Sequence, residues 1–143
     1  MKHCKKKLIF FHLVTEECND CSCQRIIVYQ TDESKSAYVP EIFGNYHLSN
    51  EKVNEQSYYI SEEHEKKFGL WHCELNSQWY IGLTNEKGKC KGYAYINSSS
   101  SCLCGTSFGW RLLKKDFQGL DYWQSIKNGS FSIKCNNKGT RRR

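Results

Sequence analysis

Apolar and aromatic side chains recur along this chain in short runs separated by polar stretches, at intervals of roughly ten residues. The clearest pair is Gln78-Trp79-Tyr80-Ile81-Gly82 and Gly92-Tyr93-Ala94-Tyr95-Ile96, joined by the polar stretch 83–91 with Asn85 and Gly88 inside it. Aromatic and β-branched residues suit a pleated, half-buried surface, and Asn and Gly reverse a chain readily, so this segment predicts a hairpin. Cys90 stands just before the second run, where a disulfide can tie the hairpin to a neighbour.

The same pattern predicts strands elsewhere. Gln24–Gln30 is a β-branched run, followed by a polar connection and the chain's single proline, Pro40. Phe43–Leu48 and Ser57–Ile60 predict two further strands, with Ser49-Asn50-Glu51-Lys52 turning the chain between them. The charged segment Ser61–Lys67 predicts a loop or a single helical turn. Phe68–Leu75 predicts a strand with Leu70, His72 and Glu74 on one face and Trp71, Cys73 and Leu75 on the other, the second set facing the core. Phe108–Leu113, Leu120–Trp123 and Ser130–Cys135 complete the set. In the last, Phe131, Ile133 and Cys135 share a face, so Cys135 can fasten the closing strand, with Cys102 or Cys104 as its expected partner.

No sustained 3.6-residue apolar period predicts a long helix. The expected fold is therefore all-β, a small antiparallel sandwich or barrel stapled by disulfides. By organisation, residues 1–17 form a basic N-terminal segment, 18–42 a cysteine-rich lead-in with one strand, 43–135 the β module, and 136–143 a basic tail. Lys5–Lys7 ahead of the apolar stretch Leu8–Val14 has the order of a secretory signal. That stretch is short, is broken by His12 and lacks a small-x-small cleavage site, so an amphipathic N-terminal segment is an equal reading. It is too short to span a bilayer, and no membrane span is expected in this chain.

Composition sharpens this picture. Only 38% of the 143 residues are hydrophobic and 14% of the chain is aromatic, so much of the core has to be built from rings. On that ground Trp71, Trp79, Trp110 and Trp123 read as core; an exposed cluster of aromatics would instead mark a binding face. The net charge of +6 sits at the ends. Lys2, Lys5, Lys6, Lys7, Lys138, Arg141, Arg142 and Arg143 are eight of the 21 basic residues, and without them 13 face 15 acidic residues. A body near −2 lacks the basic face that phosphate binding requires, and no nucleic-acid partner is expected.

Nine cysteines in a chain of this size favour a disulfide framework and an oxidising compartment. The disulfide candidates are Cys18, Cys21, Cys23, Cys73, Cys90, Cys102, Cys104 and Cys135, an even set if Cys4 leaves with a signal. Asn97-Ser98-Ser99 and Asn128-Gly129-Ser130 are N-x-S sequons, which make Asn97 and Asn128 glycosylation candidates on surface loops.

Gly44-Asn45-Tyr46, Val53-Asn54, Tyr58-Tyr59, Gln78–Gly82, Gly92–Tyr95, Cys102, Trp110, Trp123 and Ile133-Lys134-Cys135 follow one another in an order that resembles a β module of animal extracellular and receptor-type proteins. The likeness covers residues 43–135. The chain departs from that pattern in lacking a proline after Cys102, in having Cys104, and in carrying the Cys18–Cys23 cluster outside the module. The resemblance implies an extracellular location and a binding or structural role. It carries no catalytic residues to transfer.

The leading expectation is a secreted or cell-surface binding or structural module, non-catalytic, recognising an extracellular protein or glycan. A second reading is an intracellular module in which Cys18, Cys21, Cys102 and Cys104 hold zinc and the basic tails contact nucleic acid; the single residue between Cys102 and Cys104 spaces them poorly for that purpose. A third is a glycan-acting hydrolase with paired carboxylates. His72 beside Cys73 has the residue types of a nucleophile and its base, but neighbours on a strand diverge. His64 among glutamates reads as a solvated loop. No cofactor or metal is expected.

Overall fold

The computed structural model describes residues 4–9, 13–18, 23–31, 39–73, 75–103, 109–127 and 129–136. Two antiparallel strands, β1 (Cys4–Ile9) and β2 (Leu13–Cys18), pair with each other as a separate sheet. Strands in this segment are an addition to the expected set.

The remaining strands are β3 (Arg25–Gln30), β4 (Gly44–Val53), β5 (Gln56–Ser61), β6 (Phe68–His72), β7 (Gln78–Leu83), β8 (Ala94–Asn97), β9 (Trp110–Lys115), β10 (Asp121–Ser125) and β11 (Phe131–Cys135). They form one nine-stranded antiparallel sheet in the order β10-β9-β8-β7-β6-β5-β4-β3-β11. The chain thus meanders from β3 to β10, then crosses back to lay β11 against β3. The sheet curls into a half-barrel, bringing its two ends together: Trp110 of β9 and Phe131 of β11 have ring centroids 4.6 Å apart. The only helical pieces among the described residues are three short 3-10 turns.

The inner face holds the main core. Ile26 and Val28 of β3, Tyr46 of β4, Tyr59 of β5, Phe68 and Leu70 of β6, Trp79 and Ile81 of β7, Ala94 and Ile96 of β8, Trp110 and Leu112 of β9, and Phe131 and Ile133 of β11 are all buried there. The spacing of two within each strand is the pleat speaking directly. Rings buried here still need partners for their polar ends. Tyr46 Oη donates to Ile42 O at 2.6 Å, Tyr59 Oη to Cys23 O at 2.9 Å, and Trp79 Nε1 to Ser100 O at 3.0 Å.

A second, smaller cluster lies on the outer face: Val53, Tyr58, Trp71, Cys73 and Tyr80, with Ile60, Cys90 and Tyr95 against it. Strands β5, β6 and β7 are therefore buried on both sides. This corrects the expectation for Phe68–Leu75. Leu70 faces the main core, Trp71 and Cys73 face the outer cluster, and Leu75 is 85% exposed because the strand ends at His72 and the chain turns away.

Two disulfides fasten the sheet. Cys23–Cys135 joins the lead into β3 to the end of β11, and Cys73–Cys90 joins the end of β6 to the β7–β8 connection. Cys135 therefore pairs with Cys23 rather than with Cys102 or Cys104, because β11 lies against β3. Cys102 is disulfide-bonded as well. Cys21 and Cys104 lie outside the described residues, as does the side chain of Cys18.

The β4–β5 reversal also differs from expectation. Ser49–Lys52 does not turn the chain; β4 runs on to Val53, with a register shift between Leu48 and Lys52. The turn is Asn54-Glu55, both with positive φ (53° and 66°), the geometry that matches the twist of a two-residue hairpin. Asn54 tolerates that conformation, and its side chain is used elsewhere, as described next.

Candidate functional site

The outer face of β7 to β10 carries a concavity that gathers aromatic, acidic and basic side chains. Its volume is about 510 Å³, and its lining includes Tyr80, Tyr93, Trp123, Glu86, Asp121 and Lys91. Small-molecule sites commonly fall in the range of about 300–1,000 Å³.

One wall is the β7–β8 connection, and three contacts hold it still. Cys90 is bonded to Cys73, Trp71 Nε1 donates to Lys89 O at 2.8 Å, and Asn54 Nδ2 donates to Gly88 O at 3.2 Å and to His72 O at 2.7 Å. Gly92 lets this wall close onto β7. A Cβ there would sit 2.5 Å from Ile81 O, the same carbonyl that accepts Tyr93 N–H at 2.7 Å.

The floor and far wall come from strand register. Tyr80 of β7 stands opposite Tyr95 of β8, and their rings stack with centroids 5.3 Å apart. Tyr95 meets Trp123 of β10 edge-to-face at 4.7 Å. Trp123 in turn stands opposite Leu113 of β9. The result is a continuous row, Tyr80–Tyr95–Trp123, crossing four strands on the solvent side of the sheet. Tyr80 Oη donates to Gln78 Oε1 at 2.8 Å, and burial pushes the Tyr80 hydroxyl's pKa up, with Tyr95 adding to the effect. That hydroxyl stays protonated and remains a hydrogen-bond donor.

Trp71, Trp79 and Trp110 are buried, as expected of core residues. Trp123 is not. It is 37% exposed, and Tyr122, Leu120 and Phe117 of the β9–β10 hairpin are exposed as well, the last 96%. The hairpin tip is nonetheless held by one of its own side chains: Asp116 Oδ1 accepts the N–H groups of Gln118 at 2.9 Å and Leu120 at 2.8 Å.

Both carboxylates of the concavity are ion-paired. Glu86 Oε1 lies 3.0 Å from Lys89 Nζ and 3.7 Å from Lys91 Nζ, and Asp121 Oδ1 lies 2.6 Å from Lys115 Nζ. The hydrogen bond from Lys89 holds the Glu86 carboxyl below its ordinary pKa, so it stays ionised. A glycosidase acid needs the opposite, a carboxyl kept protonated near neutrality.

The other described residues singled out in the sequence do not converge. Cys73 is in a disulfide, so the His72–Cys73 pair holds no thiolate; the His72 ring packs edge-on to Trp79 at 5.2 Å. The segment around His64 is an exposed 3-10 turn. No group of three or more His, Cys, Asp or Glu side chains with metal-binding geometry occurs among the described residues. Of the proposed zinc quartet, Cys102 is oxidised, while the side chains of Cys18, Cys21 and Cys104 are outside the described residues. Asn97 ends β8 on the surface, where its Oδ1 accepts Gln78 Nε2 at 2.8 Å; Asn128 lies outside the described residues. No helix among the described residues is long and apolar enough to cross a membrane.

No protein family, curated protein or solved structure matches the chain. What the chain does has to be argued from the disulfide-stapled β scaffold and the aromatic concavity it carries.

Proposed function

We propose that this chain is a secreted or cell-surface binding module, non-catalytic, that recognises an extracellular protein or glycan through the outer face of β7 to β10. The observation that carries the reading is Trp123. A large ring left 37% exposed, at the head of an aromatic row and on the wall of a concavity, is surface the fold has no need to leave open.

Three further features support it. Disulfides at Cys23–Cys135 and Cys73–Cys90 suit an oxidising, extracellular compartment. The sequon asparagine Asn97 is exposed at a strand end, where an oligosaccharyl group has room. The concavity is held by a stapled connection and by paired strands, which is the pre-organisation that binding favours. The likeness of residues 43–135 to animal receptor-type modules points the same way. Against the zinc reading stands the oxidised Cys102.

The test is attachment of the fluorescently labelled, secreted protein to animal cells. Trp123→Ala should lower attachment at least tenfold, while Phe117→Ser, at the hairpin tip outside the concavity, should lower it less than twofold. Attachment unchanged by Trp123→Ala would overturn this reading.

A further inference from the structure

Resting on that reading, we infer that the concavity takes a neutral sugar ring, a pyranose of an uncharged glycan. Sugars present two chemistries at once: a face of C–H bonds and an equatorial rim of hydroxyls. The concavity offers both counterparts. Tyr80, Tyr93 and Trp123 line it, and Trp123, 37% exposed, is the ring a sugar face can stack on. The polar counterparts are Glu86, Asp121 and Lys91.

The charge state of those groups decides between ligand classes. An aromatic site with two free carboxylates would select a cation, by ring quadrupole and Coulomb attraction together. Here each carboxylate already has lysine partners on one oxygen, Glu86 with Lys89 and Lys91 and Asp121 with Lys115. Their charge is compensated within the protein, and the second oxygen of each has no partner among the described residues. What they offer is therefore acceptor capacity without net negative charge. That suits hydroxyl donors, whose charge-assisted hydrogen bonds to carboxylate are among the stronger ones. An anionic sugar fits less well, because its carboxylate or sulfate brings acceptors where the open oxygens of Glu86 and Asp121 need donors. An apolar protein side chain would fill the ring surface but leave those acceptors desolvated and unsatisfied, at a cost. Lys91, 3.7 Å from Glu86, can turn its ammonium toward a ring or hydroxyl oxygen.

The chain also carries its own reporter. Because Trp71, Trp79 and Trp110 are buried, a sugar stacking at the site changes the emission of one tryptophan of four. The experiment titrates the secreted protein with neutral trisaccharides ending in glucose, galactose, mannose or N-acetylglucosamine. A sialylated trisaccharide and tetramethylammonium serve as comparators, and emission is the readout. At least one neutral sugar should shift the emission saturably. Trp123→Ala should abolish the shift, and Asp121→Ala, an exposed strand-end position, should weaken binding at least tenfold. The same protein is applied to cells before and after periodate oxidation of their glycans. Attachment that depends on Trp123 and is lost after periodate supports the inference. A response to tetramethylammonium or to the sialylated sugar alone overturns it. Attachment that depends on Trp123 and survives periodate also overturns it, but leaves the binding face standing with a protein partner. Attachment that never depended on Trp123 removes the face itself.

Discussion

Removing the Cys73–Cys90 disulfide should destabilise the protein less than removing Cys23–Cys135, by an amount set by chain length. In the loop-entropy description, a cross-link restricts the unfolded chain by about 2.1 + 1.5R ln n cal/mol/K, with n the residues enclosed. For the separation of 17 between Cys73 and Cys90, this gives about 3 kcal/mol at 25 °C. For the separation of 112 between Cys23 and Cys135, it gives about 5 kcal/mol. A chain of this size loses roughly 3 °C of Tm per kcal/mol, so Cys73→Ala/Cys90→Ala should melt roughly 10 °C lower and Cys23→Ala/Cys135→Ala roughly 15 °C lower. The shorter loop has a second feature. Its connection is also held by Trp71 Nε1 on Lys89 O and Asn54 Nδ2 on Gly88 O, so the native arrangement outlives the bond. The fold of the double variant should then remain native by near-ultraviolet circular dichroism, with the loss confined to the melting curve. Thermal melts of the three proteins decide it. Equal losses, or a larger loss for the Cys73–Cys90 pair, would refute the reasoning, because the native-state contacts of the connection would then outweigh loop length.

Two further predictions test other joints of the account. Gly92→Ala should cost roughly 1–3 kcal/mol, since its Cβ would meet the Ile81 carbonyl at 2.5 Å and backbone cannot move aside cheaply. Gly119→Ala, at φ +82° in open space, should cost about 1 kcal/mol, from the left-handed backbone alone, and urea titration of the two separates the cases. Glu62 takes Arg25 in a two-pronged pair, Nε to Oε2 and Nη2 to Oε1, both 2.8 Å. The hydrogen bond from Arg25 holds the Glu62 carboxyl below its ordinary pKa. A depressed carboxylate stabilises the fold above its unfolded-state pKa, and that contribution is lost as pH falls through the folded value. Glu62→Gln should therefore lower stability slightly at neutral pH and converge with the parent protein in acid; a difference that grows on acidification would contradict the pairing.

The strands were legible where one face is apolar and the other polar. Phe131, Ile133 and Cys135 alternate with polar residues, and β11 forms where that pattern placed a strand, although Ser132 is buried beside Phe131 and Ile133 and Cys135 is exposed. The hairpin from Gln78 to Ile96 was legible from its aromatic and β-branched runs on either side of a polar connection, as was the role of Cys90 in tying it down. Periodicity fails where both faces are buried. In β6 every residue from Phe68 to Trp71 is buried, so alternation could not tell the main core from the outer cluster, and Leu75 was assigned to a strand that had already ended. The partner of Cys135 was hidden because it depends on β11 crossing back to β3, a long-range pairing that no local spacing records. The turn at Asn54-Glu55 competed with the more polar Ser49–Lys52, and register with β5 decided it. Trp123 was read as core because the chain is rich in rings and poor in other apolar residues. Its exposure follows from β10 lying at the sheet's edge, again a matter of topology.

Acrylamide quenching of tryptophan emission, in the parent protein and in Trp123→Phe and Trp71→Phe, tests most directly the claim that one ring of four is presented to solvent on the outer face. An accessible fraction is expected in the parent, absent in Trp123→Phe and retained in Trp71→Phe. An accessible fraction that survives in Trp123→Phe would contradict it, and with it the binding face built around that ring.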